Sequence, residues 1–259
     1  MKVTLDKVEF EPSPNMIGDR LQAELLAPSK GKRLLYMGEP MPDDLERIKK
    51  ITNNYEWEAT EWYVVPFRAS DNLVNRSQRV WHPNVLEQMP SQFIGRPLLK
   101  DHSWYSVDES IGIIFDSFIA DDVASEEIIN SGDRGVLNKK IVSSQGYKSV
   151  YVMVAIHASM PVEINAIATM RFDKCSTGGI LSDMDMYCPN CSEIHGREVS
   201  FFEQDERGKY ICPHEMPGGY GYEENSLVAD YIILDGMFDA IELSVCVSGN
   251  LPAAGVVRA

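Results

Sequence analysis

The strongest chemical pattern in the sequence begins with Asp173-Lys-Cys-Ser-Thr-Gly-Gly179. Cys188-Pro-Asn-Cys191 and Cys212-Pro-His214 follow it. A hydroxyl residue followed by glycines is a familiar way to place a nucleophile in a loop where backbone amides can approach a substrate oxygen. Ser176 is the candidate nucleophile. A serine before glycine is more often a turn or cap residue, so this assignment needs partners elsewhere in the chain.

The second half of the segment has the spacing of a metal site. Cys188 and Cys191 can hold one ion from a tight turn, and Cys212 with His214 completes a set of four ligands. The alternative is a reduced cysteine cluster beside an unrelated histidine, which is the weaker explanation in a chain with only 5 cysteines. We expect zinc in a structural role, because four protein ligands leave no open coordination position. His195 is an alternative ligand to His214 if the intervening loop folds back.

Composition narrows the class of protein. The chain has 259 residues, of which 44% are hydrophobic, enough for a real core. Its 24 basic and 39 acidic residues give a net charge of −15, which argues against binding to a nucleic-acid backbone. No apolar run approaches the roughly 20 residues of a membrane span, and the first residues lack the apolar core of a signal peptide. We expect a soluble protein of a reducing compartment, with no membrane or nucleic-acid partner.

Local patterns indicate a mixture of strands and helices. Residues 1–40 contain short alternating runs and several prolines, which favour strands or an extended arm. Asp43 and Asp44 precede apolar residues at helical spacing and predict a helix N-cap. Residues 121–145 are expected to form a surface excursion with a short helical piece at 125–130. Two late strands are predicted, over 227–234 and 240–247.

Two histidines are candidates for a catalytic role. His102 lies at the end of a strand-like apolar run that starts at Phe93, although a histidine at a strand end is more often a satisfied polar residue. His157 falls among alternating apolar positions, where it is either a core histidine or a third catalytic member. Cys175 adjoins Ser176, but consecutive strand residues point to opposite faces, so we expect its thiol to face the core.

A set of motifs along the chain resembles the prohead (capsid maturation) serine proteases of tailed bacteriophages. The resemblance covers roughly residues 40 to 255 and looks most like the branch with a cysteine-rich insert between the nucleophile and the last strand. It rests on Gly95-Arg-Pro-Leu-Leu-Lys-Asp-His-Ser-Trp104, Ile111-Gly-Ile-Ile-Phe-Asp116, Cys175-Ser-Thr-Gly-Gly179, the Cys-Pro-Asn-Cys and Cys-Pro-His pair, Ile241-Glu-Leu-Ser-Val245 and Pro252-Ala-Ala254.

The resemblance implies roles for particular residues. In that family the histidine of the Asp-His motif is the general base and the serine of the Ser-x-Gly motif is the nucleophile, which correspond to His102 and Ser176. Glu242 would be the acidic third member that orients the imidazole. His157 competes for that place, because the related herpesvirus assemblins use a second histidine.

The implied fold is an α+β domain built on a small closed β-barrel flanked by helices, as in the assemblins. The predicted domains are an N-terminal arm, 1–40, and a prohead protease-like domain, 41–255, which includes a zinc-binding insert, 186–216.

The implied function is cleavage of phage scaffold or major capsid protein segments during head maturation, in the host cytoplasm and inside the prohead or virion, with homo-oligomerisation left open. The alternative is a structural or assembly protein of the virion that keeps the protease fold without needing proteolysis. A zinc-ribbon adaptor without catalysis would leave the Asp-His and Ser-Thr-Gly-Gly motifs unexplained.

Overall fold

The computed structural model describes residues 8–10, 33–103, 107–130, 134–218, 227–246 and 254–257. Its strands are β1 (Val8–Phe10), β2 (Arg33–Leu35), β3 (Trp62–Asp71), β4 (Arg79–Trp81), β5 (Pro97–Lys100), β6 (Ser110–Asp122), β7 (Tyr147–His157), β8 (Lys174–Tyr187), β9 (His214–Glu215), β10 (Leu227–Val228), β11 (Ile232–Cys246) and β12 (Gly255–Val256). Its helices are α1 (Pro42–Thr52), α2 (Pro83–Phe93), α3 (Glu126–Ile129), α4 (Gly135–Gln145), α5 (Pro161–Ala168) and α6 (Pro189–His195), with short 3₁₀ turns at Ala59–Glu61 and Val107–Glu109.

Seven of the strands close into a barrel. The order is β11-β5-β6-β7-β3-β12-β8, and pairing between β8 and β11 joins the two ends. The strand β4 adds to β11 in parallel on the outside of this closure. Closure pairs most of the strand edges that an open sheet would expose. Among the described residues, β8 is an exception, because beyond Lys174 the only strand with which it pairs is β11. The prediction of an α+β fold with a closed barrel and flanking helices is confirmed at this level.

Strands β3, β6 and β7 are buried along most of both faces, which explains their nearly continuous apolar sequences. One face of β3 carries Val65, Phe67 and Ala69 into a core shared with all the long barrel strands and with α2. The opposite face carries Trp62 and Val64 against residues of α1 such as Ile48. Alternation along a strand produces this division. The interior is therefore filled, and functional side chains must lie on the outer face or at the ends of strands.

Two local predictions were wrong for identifiable reasons. Helix α1 has Met41 as its N-cap and Pro42 at its first position, so Asp43 and Asp44 lie inside the first turn. Acidic residues there complement the helix dipole, and the buried Asp44 carboxylate also accepts a hydrogen bond of 2.5 Å from Tyr36 Oη. The predicted pair of late strands is mostly one strand, β11. Gly236 (φ 145°) lies at a β-bulge where the register with β8 shifts between Asp235 and Met237, and the strand continues through it.

Two parts of the predicted N-terminal arm, residues 8–10 and 33–40, are described by the structure. Strand β1 pairs antiparallel with β2, and Gly38 then bridges to Val64 of the barrel. Tyr36 and Met37 between them are buried in the core. Residues 1–7 and 11–32 of the predicted arm lie outside the described residues. Among the helices that the structure describes, none is long and apolar enough to cross a membrane.

Candidate functional site

His102 sits in a tight turn directly after β5. Lys100 accepts a hydrogen bond from Ser103 N at 3.0 Å, and both central residues, Asp101 and His102, have positive φ values of 46° and 56°. These are the signs of a type I′ turn, which usually takes glycine or asparagine. Strained backbone of this kind costs on the order of 1–3 kcal/mol per residue and clusters at functional sites. A bond from Asp101 N to Val245 O, 3.0 Å, fixes the turn to β11.

Glu242 of β11 lies directly against the imidazole of His102. The distance from His102 Nδ1 to Glu242 Oε1 is 2.6 Å, and the glutamate side chain is completely buried whereas the histidine side chain is 38% exposed. An ionised carboxylate only accepts hydrogen bonds, so Nδ1 donates and Nε2 is left as the basic nitrogen. This is the arrangement by which a carboxylate orients a histidine in a catalytic triad.

Ser244 connects Glu242 with His102 and was not identified from the sequence. Its hydroxyl donates to Glu242 Oε2 at 2.5 Å and accepts from His102 N at 3.0 Å, and its side chain is completely buried. Every buried carboxylate oxygen needs such a partner, because an unsatisfied one is costly. The signal was present in Ile241-Glu-Leu-Ser-Val245, since the period of two puts Ser244 on the same face as Glu242.

Ser176 lies across the strand pair from Ser244. The β8–β11 register makes these two residues direct partners, so their Cβ atoms lie about 4.5–5.5 Å apart on one face of the sheet. The Ser176 side chain is half-buried. Among the described residues no hydrogen bond joins its hydroxyl to His102, and catalytic bonds of this kind often tighten only when substrate is present. The structure therefore brings His102, Glu242 and Ser176 to one surface.

The glycine-rich segment is a strand rather than the loop that the sequence favours. Thr177 pairs with Leu243 and Gly178 with Glu242 inside β8. A Cβ atom added at Gly178 would fall on the Glu242 carboxylate. Glycine is therefore required here to let the carboxylate lie flat over β8 beside His102, which is a reason for the Ser-x-Gly spacing that is independent of any oxyanion.

We expect Gly178→Ala to damage the site while leaving the barrel folded. The new methyl group must push Glu242 away from His102, and overpacking of this kind costs about 1–3 kcal/mol. The measurements are the free energy of unfolding and the rate at which a fluorophosphonate labels the protein. Ser182→Ala on an exposed part of the same strand is the matched control. Unchanged labelling in the glycine variant would show that the Glu242 position does not matter.

Cys175 faces the barrel interior, as alternation predicts. It is completely buried within the main core, and its Sγ donates to Arg68 O at 3.3 Å. Burial is the main cause that raises the pKa of the Cys175 thiol far above its usual value. The thiol therefore stays protonated at neutral pH, and a protonated, buried thiol is a poor nucleophile.

This leads to a labelling prediction. In the native protein, an alkylating reagent at neutral pH should modify the half-buried Cys246 before Cys175, and modification of Cys246 should leave any activity intact. Peptide mapping by mass spectrometry after short exposures gives the order. Rapid modification of Cys175 in the folded protein, together with lost activity, would instead make that thiol the nucleophile.

His157 occupies a different environment. It pairs across the strands with Trp62, and its ring lies 5.2 Å from Trp57 and 5.3 Å from Trp62 by centroid distance. Its Nδ1 contacts Ser159 Oγ at 2.7 Å. Of the two candidates for the third member, Glu242 is therefore the one whose side chain contacts His102.

The four predicted metal ligands form a compact cluster. The candidate ligand atoms of Cys188, Cys191, Cys212 and His214 all lie within 4.8 Å of one another, and the three cysteines form no disulfide. Cys191 Sγ lies 3.5 Å from Cys212 Sγ and 3.3 Å from His214 Nδ1. Sulfurs around a tetrahedral ion at about 2.3 Å stand roughly 3.8 Å apart, so the cluster matches the size of a metal site. The prediction that these side chains converge is confirmed.

Local structure explains the convergence. Cys188 is the N-cap of α6, where Pro189 takes the first helical position, and Cys191 follows one turn later. Cys212 and His214 arrive together at the start of β9. Burial raises the pKa of all three thiols. A bound cation would offset that cost, because thiolates are the ligand form.

His195 does not belong to the cluster. It is exposed in the last turn of α6, and the histidine beside the three sulfurs is His214. The insert is also tied to the barrel through His82, whose Nε2 lies 2.8 Å from Glu198 Oε1. Ser176 and Cys188 lie at opposite ends of β8, separated by a strand contour of roughly 40 Å at about 3.3 Å per residue.

Comparisons with protein-family models, curated proteins and solved structures give no match to this chain. The resemblance to prohead proteases therefore depends on the motifs of the chain itself, and it stays a prediction. What the structure adds is independent of that resemblance: a closed barrel, a histidine–glutamate pair beside a serine, and a three-cysteine, one-histidine cluster.

Proposed function

We propose that this chain is a serine endopeptidase of the phage prohead kind, with Ser176 as nucleophile, His102 as general base and Glu242 as the carboxylate that orients the base. The observation that carries the proposal is the 2.6 Å contact between His102 and the completely buried Glu242. Stability alone does not explain why a buried carboxylate is held against an exposed imidazole, since a hydrophobic pair of the same size would usually be as stable.

The proposed chemistry gives each of the three side chains one role. Ser176 Oγ attacks a peptide carbonyl carbon while His102 Nε2 takes the hydroxyl proton, and the imidazolium is stabilised by Glu242. The C–N bond then breaks as His102 returns the proton to the leaving amine. A water molecule, activated by the same histidine, hydrolyses the acyl-enzyme and restores the Ser176 hydroxyl.

Ser244 has a positioning role in this scheme. Its hydroxyl occupies the second oxygen of Glu242 and holds the backbone of His102. Both groups that must stay fixed during proton transfer are therefore held by one buried side chain. Pre-organisation of this kind lets the imidazole accept a proton without moving.

Zinc is the ion that the insert is proposed to hold. Cys188, Cys191, Cys212 and His214 would supply all four ligands, so the ion would be structural and would order the insert rather than activate water. The proposed substrates are scaffold and major capsid protein segments, as the motif resemblance implies, with self-cleavage included. The acidic surface, with a net charge of −15, favours a less acidic partner.

The proposal is tested by incubating the purified wild type, Ser176→Ala and Ser143→Ala, a change at an exposed position of α4, separately with the cognate scaffold and capsid proteins. Mass spectrometry of the products should show the same fragments for wild type and Ser143→Ala and none for Ser176→Ala. Fragments that persist in Ser176→Ala would refute the assigned nucleophile. A wild type without cleavage would favour the alternative, a virion or assembly protein that keeps the fold without proteolysis.

A further inference from the structure

In the described part of the chain, one edge of the strand that carries Ser176 is largely unpaired. Strand β8 pairs with β11 along its whole length, from Lys174 to Tyr187, but with β12 only at Lys174. In the ranges that the structure describes, no strand pairs with the other side of β8 between Gly178 and Asp185. From Gly178 to Ser182, every second residue therefore directs its backbone N–H and C=O sideways from the unpaired edge of β8. The irregularity in the pairing at Asp183 (φ 48°) ends this regular stretch.

The outer face of the same ribbon is apolar where it leaves the candidate active site. Alternation places Ile180 on the face of Ser176 and Gly178, and Met237 of β11 joins this face because it pairs with Ser182. Ile180 is 57% exposed and Met237 61% exposed. Large apolar side chains in such positions, continuous with a proposed catalytic surface, are typical of binding sites.

The apolar pair has an acidic rim. Asp239 lies opposite Ile180 on β11. Asp183 follows Ser182 on β8 at the irregularity in the pairing, where its φ is 48° and strict alternation ends. Both are exposed. Arg96 contacts Asp239 at 2.9 Å, but the two side chains are 41% and 64% exposed, and exposed pairs of this kind contribute only about 0–1 kcal/mol. A basic side chain from outside can compete for this carboxylate.

We propose that the free edge of β8 binds the substrate polypeptide as an added antiparallel or parallel strand, with apolar side chains over Ile180 and Met237 and Lys or Arg side chains beside Asp183 and Asp239. Main-chain bonds to the edge supply affinity, and the alternating side chains supply selectivity. This inference rests on the proposed function for its consequence, because the bound segment would continue towards Ser176. It assigns the substrate class as extended chain that alternates apolar and basic residues.

The competing explanation is that the acidic residues merely protect the edge from self-pairing, as charged residues on free edges often do. That explanation predicts no affinity for extended peptides. The two are separated by binding measurements on the full chain with Ser176→Ala, so that cleavage cannot alter the peptide. The probe is a fluorescent peptide of about ten residues, the usual upper length of a strand, with valine or leucine alternating with lysine.

We expect saturable binding of this peptide by fluorescence anisotropy. A version with glutamate for lysine, and a version N-methylated at alternate residues to remove backbone donors, should each bind at least about tenfold more weakly. Adding Ile180→Lys or Met237→Lys should cause a similar loss. Val136→Lys, at an 84% exposed position of α4, is the matched control and should bind as tightly as the parent.

Several results would overturn the proposal: no binding of the lysine peptide, equal binding of all three peptides, or an equal loss in the Val136 control. The binding and cleavage experiments can reject the edge site and the proposed peptidase function independently of each other. Binding by the Ser176→Ala protein without cleavage of the same peptide by wild type would retain the edge site and reject the peptidase. Cleavage of scaffold or capsid protein by wild type without peptide binding would do the reverse.

Discussion

Ser176→Ala and His102→Ala are each expected to reduce cleavage by a factor of about 10⁴ to 10⁶, and the double variant is expected to be hardly worse than either. The physical reason is that the histidine acts only by taking the serine proton. Once one member is absent, removal of the other causes little further loss of rate. The measurement is the rate of fragment formation from the substrate protein for the wild type and the three variants.

Glu242→Gln separates positioning from proton transfer in the same assay. The amide keeps the size of the side chain, but it offers His102 Nδ1 a neutral acceptor or, if rotated, a donor. Without the carboxylate, the imidazole is no longer held in the correct tautomer, and the imidazolium loses a stabilising negative charge. We expect the rate to fall by about 10² to 10⁴, which is less than the loss caused by Ser176→Ala. A multiplicative effect of Ser176→Ala and His102→Ala, instead of a shared one, would contradict the catalytic unit.

Removal of the metal is the second change with a large expected effect. Structural zinc in small metal-dependent domains supplies about 10–16 kcal/mol of apparent binding free energy, and the insert has only a small apolar cluster around its cysteines. We expect one zinc ion per chain by metal analysis. A strong chelator, or Cys191→Ser, should make the segment 188–214 susceptible to added protease and lower the thermal midpoint.

The control for the metal prediction is Cys246→Ser, because Cys246 lies outside the four-residue cluster. This variant should retain one ion per chain and the protease resistance of the insert. His195→Ala should behave in the same way, whereas His214→Ala should lose the ion or bind it much more weakly. A metal content near zero in the wild type, with a thermal midpoint that the chelator does not change, would contradict the metal centre.

The cluster of metal ligands was the part of the site most accessible from the sequence. Thiol and imidazole spacing reflects the geometry of a single ion, so Cys188, Cys191, Cys212 and His214 could be grouped without knowing the fold. The choice between His195 and His214 could not be made in that way. It depends on whether the loop folds back, and the structure places His195 on the exposed side of α6.

The contact between His102 and Glu242 could not be derived from local pattern. It depends on β5 lying parallel to β11, with Leu99 beside Ser244, and such pairing between distant segments has no local signature. The turn at Asp101 and His102 has the same difficulty. Positive φ at two residues that are not glycine is a strained choice, which tertiary contacts stabilise and sequence propensity argues against.

Helix α4 shows how a buried polar residue conceals an element. Asn138 is completely buried, accepts a hydrogen bond from Val74 N and donates one to Ile129 O. A polar residue at a core position breaks the apolar period on which helix prediction depends. The acidic, glycine- and serine-containing composition of 121–145 predicts a surface excursion with a short helical piece at 125–130. The structure has α3 at that place, and α4 is the helix that the composition does not predict.

The most direct test of the central claim, that Ser176, His102 and Glu242 form one catalytic unit, needs no substrate. The measurement is intact-protein and peptide mass spectrometry after exposure to a fluorophosphonate, which an activated serine attacks at phosphorus with release of fluoride. The account predicts one adduct, on Ser176, that is absent in His102→Ala and much slower to form in Glu242→Gln. No adduct on the folded wild type, or an adduct on another serine such as Ser103, would contradict it.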